Sequence, residues 1–391
     1  MKSIDEVDIT GKRVLLRVDF NVSLDSRGEI VDDERMRQTL PTIEYLLQHH
    51  NKLILVSHLD HPKGRDPKLS LKPIAKHLQK LLTSRRILLV DDFLTDTKSF
   101  ANQTENDMLL LENIRFYPEE KTNDTAFAKQ LASLADVFVN DAFGVSHRKE
   151  ASVVSIPEFL PSYAGFLIKK EVQILSHALT HPEHPVVAII GGSKISTKIN
   201  LLDRLLSIAD TVLIGGGLAN TFFASQGIEI GKSICENDEK ETAQRLLEKA
   251  KSSHAKLLLP LDVVIKNTET NLSRVAYVAK VEPRDTILDI GIETVTTFSE
   301  VIRTAKTIIW NGPMGYFEDP AFRRGTDGIC EAIIRNKEAV SIVGGGDTIT
   351  AIGDRPDKDT ITHISTGGGA MLAFIEHGSL PGIDALKKSR A

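Results

Sequence analysis

Residues 186–206 read VVAIIGGSKISTKINLLDRLL: a strand-like apolar run, the pair Gly191-Gly192, then a stretch of helical character. The same order returns three times. TVLI (211–214) runs into Gly215–Gly217 and LANTFFASQG, SIV (341–343) into Gly344–Gly346 and DTITAI, and HIST (363–366) into Gly367–Gly369 and AMLAFIEHG. Repeated strand–glycine–helix turns predict a parallel sheet with bare backbone N–H groups and helix N-termini along one rim. Such a rim holds phosphate without a cationic side chain.

Strands of the first half end on different chemistry. LLRV (15–18) runs into Asp19-Phe20-Asn21, LILVS (53–57) into His58, and LLLEN (109–113) towards Arg115. DVFVN (136–140) leads to His147-Arg148. Ligands of open α/β sheets sit beyond the carboxyl ends of the strands. Arg17, Arg35, His58, His61, Arg115, His147 and Arg148 are thus placed to converge on one patch. One arginine there is more often a surface ion-pair partner. The series points to a small polyanion, because guanidinium forks match phosphate and carboxylate. Asp19 and Asn21 would orient a hydroxyl or hold an arginine.

A chain of 391 residues exceeds what one hydrophobic core usually organises, so two domains are expected. The expected fold is α/β: two doubly wound, parallel-sheet, Rossmann-like domains joined by a connecting helix, with the ligand cleft between them. The boundaries are 1–165 for the first domain and 166–184 for the helix and hinge. The second domain is 185–375, and 376–391 is a tail. With Lys+Arg 48 against Asp+Glu 53 the net charge is -5, and the absence of a basic run argues against nucleic acid. Cys235 and Cys330 form no CxxC, the N-terminus has no apolar signal core, and no apolar run approaches a membrane span. A cytoplasmic protein is expected.

The glycine turns match neither standard nucleotide fingerprint. G-x-x-x-x-G-K-[ST] is absent, and the last glycine of G-x-G-x-x-G is replaced by Asn220, Ile349 or Leu372. Lys194 and Lys198, four apart at the start of a predicted helix, should share a face and contact phosphate. Asp347, behind Gly344–Gly346, could hold Mg²⁺ or simply cap a helix. No residue set suggests a nucleophile or a transition-metal site.

Read together, the segments GKRVLLRVDFNV (11–22), DDERMR (32–37), SHLDHP (57–62), LLLENIRF (109–116) and NDAFGVSHR (140–148) form one half of a pattern. The other half is GGSKISTK (191–198), GGGLANTF (215–222), LLPLDVV (258–264), WNGPMGYFE (310–318), GGGDT (344–348) and STGGGA (365–370). In this order they resemble the phosphoglycerate kinases along essentially the whole chain. The resemblance implies reversible phosphoryl transfer between 1,3-bisphosphoglycerate and ADP, giving 3-phosphoglycerate and ATP with Mg²⁺, by a monomer that closes about a hinge. It implies that Asp19, Phe20, Asn21, Arg35, His58, Leu59, Asp60, His61, Arg115 and Arg148 bind the glycerate ligand, with Arg17 supporting them. Gly192, Lys198, Gly216, Glu318 and Gly344, Gly345, Gly346, Asp347 and Thr348 would bind the nucleotide, with Asp347 on the metal. Arg35, Lys194, Gly367 and Gly368 would surround the migrating group. The acceptor oxygen is already ionised, so positioning and charge stabilisation suffice without a general base.

The sequence departs from the family pattern at Ser23 (usually Pro), Asp60 and His61 (usually Gly and Arg), and Glu150 (frequently His). Two other readings are another acyl-phosphate-forming kinase with a different small acid as acceptor, and a nucleotide-sensing or scaffold protein that kept the fold and lost turnover.

Overall fold

The computed structural model describes residues 1–353 and 355–389. The chain forms two compact units. One is Met1–Gln173 together with the segment from Ser379 on, and the other is Ile174–Gly378. The division falls inside a single helix, Phe166–Thr180.

The first unit is built on strands β1 (Arg13–Arg17), β2 (Lys52–Val56), β3 (Arg86–Val90), β4 (Asp107–Leu111), β5 (Val137–Asn140) and β6 (Ser162–Ala164). They form one parallel sheet in the order β3-β4-β2-β1-β5-β6. The central strands read as unbroken apolar runs, because a parallel sheet covered by helices meets water on neither face. Met36, Ile43 and Leu46 of the helix Glu34–Gln48 bury against Val14, Leu16, Leu53 and Leu55, and Ile74 and Leu78 of the helix Lys72–Leu81 join that core. From β1 the chain passes to β2 on one side and later to β5 on the other. The carboxyl end of β1 is therefore the switch point, where a ligand crevice opens. β6 lies at the end of the segment 1–165 assigned above to the first domain. Three residues are too few to give a periodic signal.

Asp141, just past β5, starts the helix Phe166–Thr180: its Oδ1 accepts the N–H groups of Leu167 at 2.8 Å and Ile168 at 3.2 Å. Burial pushes this carboxyl up to about 7 against those hydrogen bonds. The expected tail is ordered as the helix Pro381–Lys388, which returns to the first unit with Gly382 N–H donating to the Ser146 carbonyl at 2.9 Å. Residues 390 and 391 of that tail lie outside the described residues.

The second unit holds β7 (Val186–Ile190), β8 (Thr211–Ile214), β9 (Lys256–Leu258), β10 (Asp262–Asn267), β11 (Ser273–Tyr277), β12 (Asp285–Ile290), β13 (Thr307–Asn311), β14 (Val340–Gly344) and β15 (His363–Ile364). Six of these make a parallel sheet, β15-β14-β13-β7-β8-β9. Counted along the chain this is the 3-2-1-4-5-6 order of dinucleotide-binding folds, present here without their glycine fingerprint. The switch point lies between β7 and β13, where Ile190 is level with Asn311. A separate antiparallel sheet, β11-β10-β12, interrupts the strand–helix alternation that the sequence suggested for the whole of this unit. Its strands follow one another with no long helix between them, so helical periodicity could not reveal the change.

Candidate active site

In the first unit, the chain reversal at β1 places Arg17 at the centre of the sheet, with its guanidinium fully buried. Its Nε donates to Ser152 Oγ at 2.9 Å and its Nη1 to the Val18 carbonyl; Nη2 lies 3.4 Å from His58 Nδ1. Ser152 in turn gives its Oγ–H (2.5 Å) and backbone N–H (2.9 Å) to Glu120. Burial raises the Glu120 carboxyl, while Arg17 and the serine bonds oppose that rise. Arg17 is thus a buttress behind the patch, satisfied by protein groups.

Arg35, in the first turn of its helix, keeps a partly exposed fork: Nη1 is 3.3 Å from Asp19 Oδ2 and 3.1 Å from the Asn21 carbonyl. Asn21 Oδ1 accepts the Asp60 N–H at 2.8 Å. Asp60 sits at φ 54, a left-handed conformation that aspartate tolerates better than most residues, which accounts for an acid where glycine is usual. Arg115 is almost wholly buried. Its Nη1 donates to the Asp60 carbonyl at 2.8 Å, and its Nη2 makes a two-pronged contact with Glu150 at 2.8 and 3.2 Å. Arg148 reaches the same carboxylate at 3.9 Å. Glu150, the departure from the family pattern, is therefore the counter-charge that holds two arginines side by side.

His58 is buried 3.8 Å from Asp19. Burial first, then Arg17, Arg115, Arg148 and Arg35, hold its pKa well below the usual imidazole range, so the ring is neutral at pH 7. His61 is lowered too, by burial and by Arg115, Arg148 and Lys121, with Asp60 opposing. Phe20 and Leu59 do not present side chains to a ligand: both are buried in the core. The Phe20 N–H is taken by Ser57 Oγ and the Leu59 carbonyl by Asn113 Nδ2.

In the second unit, a cavity of about 390 Å³ opens at the β7–β13 switch point, with Gly192, Gly216, Asp347 and Glu318 in its wall. Gly216 (φ +66) stands where a Cβ would meet Gly192 at 2.7 Å and the Pro313 carbonyl at 2.8 Å. Gly345 (φ +106) would collide with Asn311 Nδ2 at 2.6 Å. These glycines let neighbouring turns touch. Their N–H groups are not all bare, as the sequence suggested. Gly191 donates to Asn311, Gly192 to Pro313, Gly215 to Ile190 and Gly216 to Met314. The amides without an intrahelical acceptor are those of first turns, as at Gly346 and at Gly368 and Gly369.

Lys194 and Lys198 do not share a helix face. The α-helix begins only at Ile199, behind a 3-10 turn over Ser196–Lys198. Lys194 is exposed and Lys198 buried. Lys198 Nζ donates to Asn311 Oδ1 and lies 3.4 Å from the Asn311 carbonyl, while Asn311 Nδ2 donates to the Gly344 carbonyl at 2.7 Å. One asparagine thus ties the ammonium to two glycine turns. It stands in the WNGPMGYFE segment, yet nothing in its local sequence marks it as the tether. Burial brings Lys198 down to about 8, with Asp347 pulling the other way. Thr348 Oγ1 accepts the Gly312 N–H at 2.7 Å, so this hydroxyl braces the turn. Asp347 and Glu318 are exposed. Among the described residues, no group of three or more His, Cys, Asp or Glu could hold a metal by itself.

A family model for phosphoglycerate kinase matches residues 4–378. The chain belongs to the phosphoglycerate kinase family. It is 48% identical to the phosphoglycerate kinase of Dictyoglomus turgidum, covering 97% of this chain and 96% of the relative. It is also 44% identical to the cytosolic phosphoglycerate kinase 3 of Arabidopsis thaliana, covering 99% and 98%. Among solved structures, phosphoglycerate kinase from Coxiella burnetii superposes with a TM-score of 0.89 at 39% identity, covering 99% of this chain and 98% of that one. The enzyme from Pyrococcus horikoshii gives 0.87 at 30%, covering 100% and 99%. The activity is that of a phosphotransferase: reversible transfer of a phosphoryl group between 1,3-bisphosphoglycerate and ADP, a step of glycolysis.

Proposed function

We propose that the arginine patch of the first unit binds 3-phosphoglycerate or 1,3-bisphosphoglycerate and that the cavity of the second binds ADP or ATP. Lys198 carries this reading. A buried ammonium held by Asn311 stands 3.6 Å from where a Cβ on Gly192 would lie, at the wall of a cavity that also has an exposed carboxylate, Asp347. Among the described residues no carboxylate forms an ion pair with this buried cation, and a nucleotide phosphate would supply the anion. Glu318 takes the ribose, and Gly344–Thr348 form the turn beneath the phosphates.

One exposed carboxylate without a protein cage fits magnesium, which keeps several waters and is shared between one or two carboxylates and substrate phosphates. Asp347 would hold it. When bound, the ion would supply charge neutralisation for the phosphates. Arg35, Lys194 and the amides of Gly367 and Gly368 surround the migrating group, and no proton needs to be removed from the acceptor. Because the two ligands are held by separate units, transfer proceeds by hinge bending, which also excludes water. The cytosolic relative supports a cytoplasmic place for the chain, and a monomer is part of the same proposal.

A coupled assay with ATP, Mg²⁺ and 3-phosphoglycerate should show turnover, and small-angle scattering should show a smaller radius of gyration with both ligands bound. No turnover refutes the reading, and an unchanged radius refutes hinge closure.

His61 carries a further expected result. Its lowered pKa leaves it neutral at pH 7, so it adds a cation only as pH falls below the ordinary imidazole value. His61→Arg should tighten 3-phosphoglycerate binding several-fold at pH 7–8. The same variant should flatten the gain in affinity that the parent shows on acidification. Calorimetric titration from pH 5.5 to 8 checks this, and superimposable profiles would count against a ligand role for His61.

A further inference from the structure

The segment 312–318 is where the turns of the second unit meet. The Pro313 carbonyl accepts the Gly192 N–H at 2.8 Å and the Met314 carbonyl the Gly216 N–H at 2.9 Å, so the segment is laced to two glycine turns of the cavity before it reaches Glu318. Its other side hangs on two neighbours. The Met314 N–H donates to Thr326 Oγ1 at 2.9 Å, and the Tyr316 N–H to the Leu288 carbonyl at 2.7 Å. Thr326 stands in the first turn of the helix Arg324–Arg335, whose own N-cap residue, Arg323, makes no side-chain cap. The cap comes from the antiparallel sheet instead. Asp289, in β12 and buried, accepts the Gly325 N–H on Oδ2 at 2.8 Å and the Ile290 N–H on Oδ1 at 2.9 Å. A Cβ at Gly315 or at Gly325 would run into this same carboxylate, which therefore fills the space between the segment and the helix start. Burial pushes the carboxyl up to about 7 against both hydrogen bonds, with Asp327 adding to the rise.

We propose that Asp289 is a positioning residue for nucleotide binding: by holding the helix start at Gly325 and packing on Gly315, it fixes the segment 312–318 and, through it, the glycine turns at Gly192 and Gly216. This role rests on the nucleotide reading of the cavity and adds to it a residue that acts without touching the ligand. A plain helix cap would serve the fold alone. Two observations tie this one to the site. The carboxylate is wedged between two glycines, one of which belongs to the segment, and the residue after the capped amide is the one that braces Met314. The separate antiparallel sheet thus has a use in the parallel-sheet unit, since β12 delivers the carboxylate.

The test is calorimetric binding of ADP and of 3-phosphoglycerate to the intact enzyme and its variants. Asp289→Leu, close in size but without acceptors, should weaken ADP about tenfold, the scale of one lost hydrogen bond, and leave 3-phosphoglycerate affinity unchanged. Asp289→Asn keeps one oxygen for the Gly325 N–H and should stay within about threefold of the parent. Thr326→Val should weaken ADP by a similar factor to Asp289→Leu, whereas Thr326→Ser, which keeps the hydroxyl, should not. Because both residues act on the segment along one path, the double variant Asp289→Leu/Thr326→Val should bind ADP within about twofold of the weaker single variant. Fully additive losses would overturn the proposal, and so would parental ADP affinity in Asp289→Leu or an equal loss for both ligands, as a merely structural role gives. Should Asp289→Leu fail to fold, the Thr326 pair decides: equal ADP binding by the valine and serine variants overturns the path to the segment. A parent enzyme that does not bind ADP refutes the nucleotide reading itself, whereas ADP binding that ignores Asp289 refutes only the role given to this residue.

Discussion

Lys198→Met is expected to lower turnover by about 10²–10³-fold and to raise the KM for ADP, the size of loss seen when one preorganised donor is taken from a site that stabilises developing negative charge. The loss is large because this ammonium is already desolvated and held by Asn311, so it needs no reorganisation when the phosphates arrive. Its pKa adds a signature. Free Lys198 titrates near 8, so at pH 7 it is mostly charged, and raising the pH through 8 removes the cation and weakens ADP binding. Bound phosphates pull the pKa back up, so ADP binding at pH 8–9 should take up a proton. Both the alkaline loss of affinity and the proton uptake should vanish in Lys198→Met. Calorimetry in buffers of different ionisation enthalpy measures the uptake, and its survival in the variant would assign it to another group. Stability without nucleotide should change little, since the methionine relieves the burial of a charge as it gives up the hydrogen bond.

Arg115→Ala is expected to cost about 3–5 kcal/mol of folding stability, because it strands the Glu150 carboxylate in a buried site. Arg148 at 3.9 Å is too far and too exposed to replace the two-pronged contact. Urea unfolding should show a lower midpoint at unchanged slope. The double variant Arg115→Ala/Glu150→Ala should recover much of that stability, since removing both partners avoids the unpaired charge, but it should recover none of the 3-phosphoglycerate affinity. A double variant no more stable than the single one would mean that the pair is not what Arg115 contributes to folding. The separation matters for mechanism. Arg115 also holds the Asp60–His61 loop through the Asp60 carbonyl, so its loss would disturb that loop as well as strand Glu150.

Much of the candidate site's placement was legible because its residues lie at strand ends. Arg17, His58 and Arg115 close the first-half strands, and glycines close those of the second. A sheet delivers strand ends to one rim whatever the loops do. What stayed hidden depends on contacts between distant residues. Lys194 and Lys198 look alike in sequence, and only the late start of the helix at Ile199 leaves one exposed and buries the other on Asn311. Phe20 and Leu59 stand among residues expected to bind the ligand and yet pack into the core. Glu150 reads as an oddity until Arg115 and Arg148 are seen on either side of it.

The chain by itself therefore determined the family, through its ordered series of motifs, and also the two α/β units and the sorting of cations and glycines between them, which follow from local periodicity and from residues next to strand ends. Tertiary structure alone decided which charges are buried, which glycine amides remain open, and which of two lysines is buried on Asn311. Those outcomes turn on desolvation and on hydrogen bonds between residues about a hundred positions apart, such as Lys198 and Asn311, whose interaction energy has no trace in either local segment.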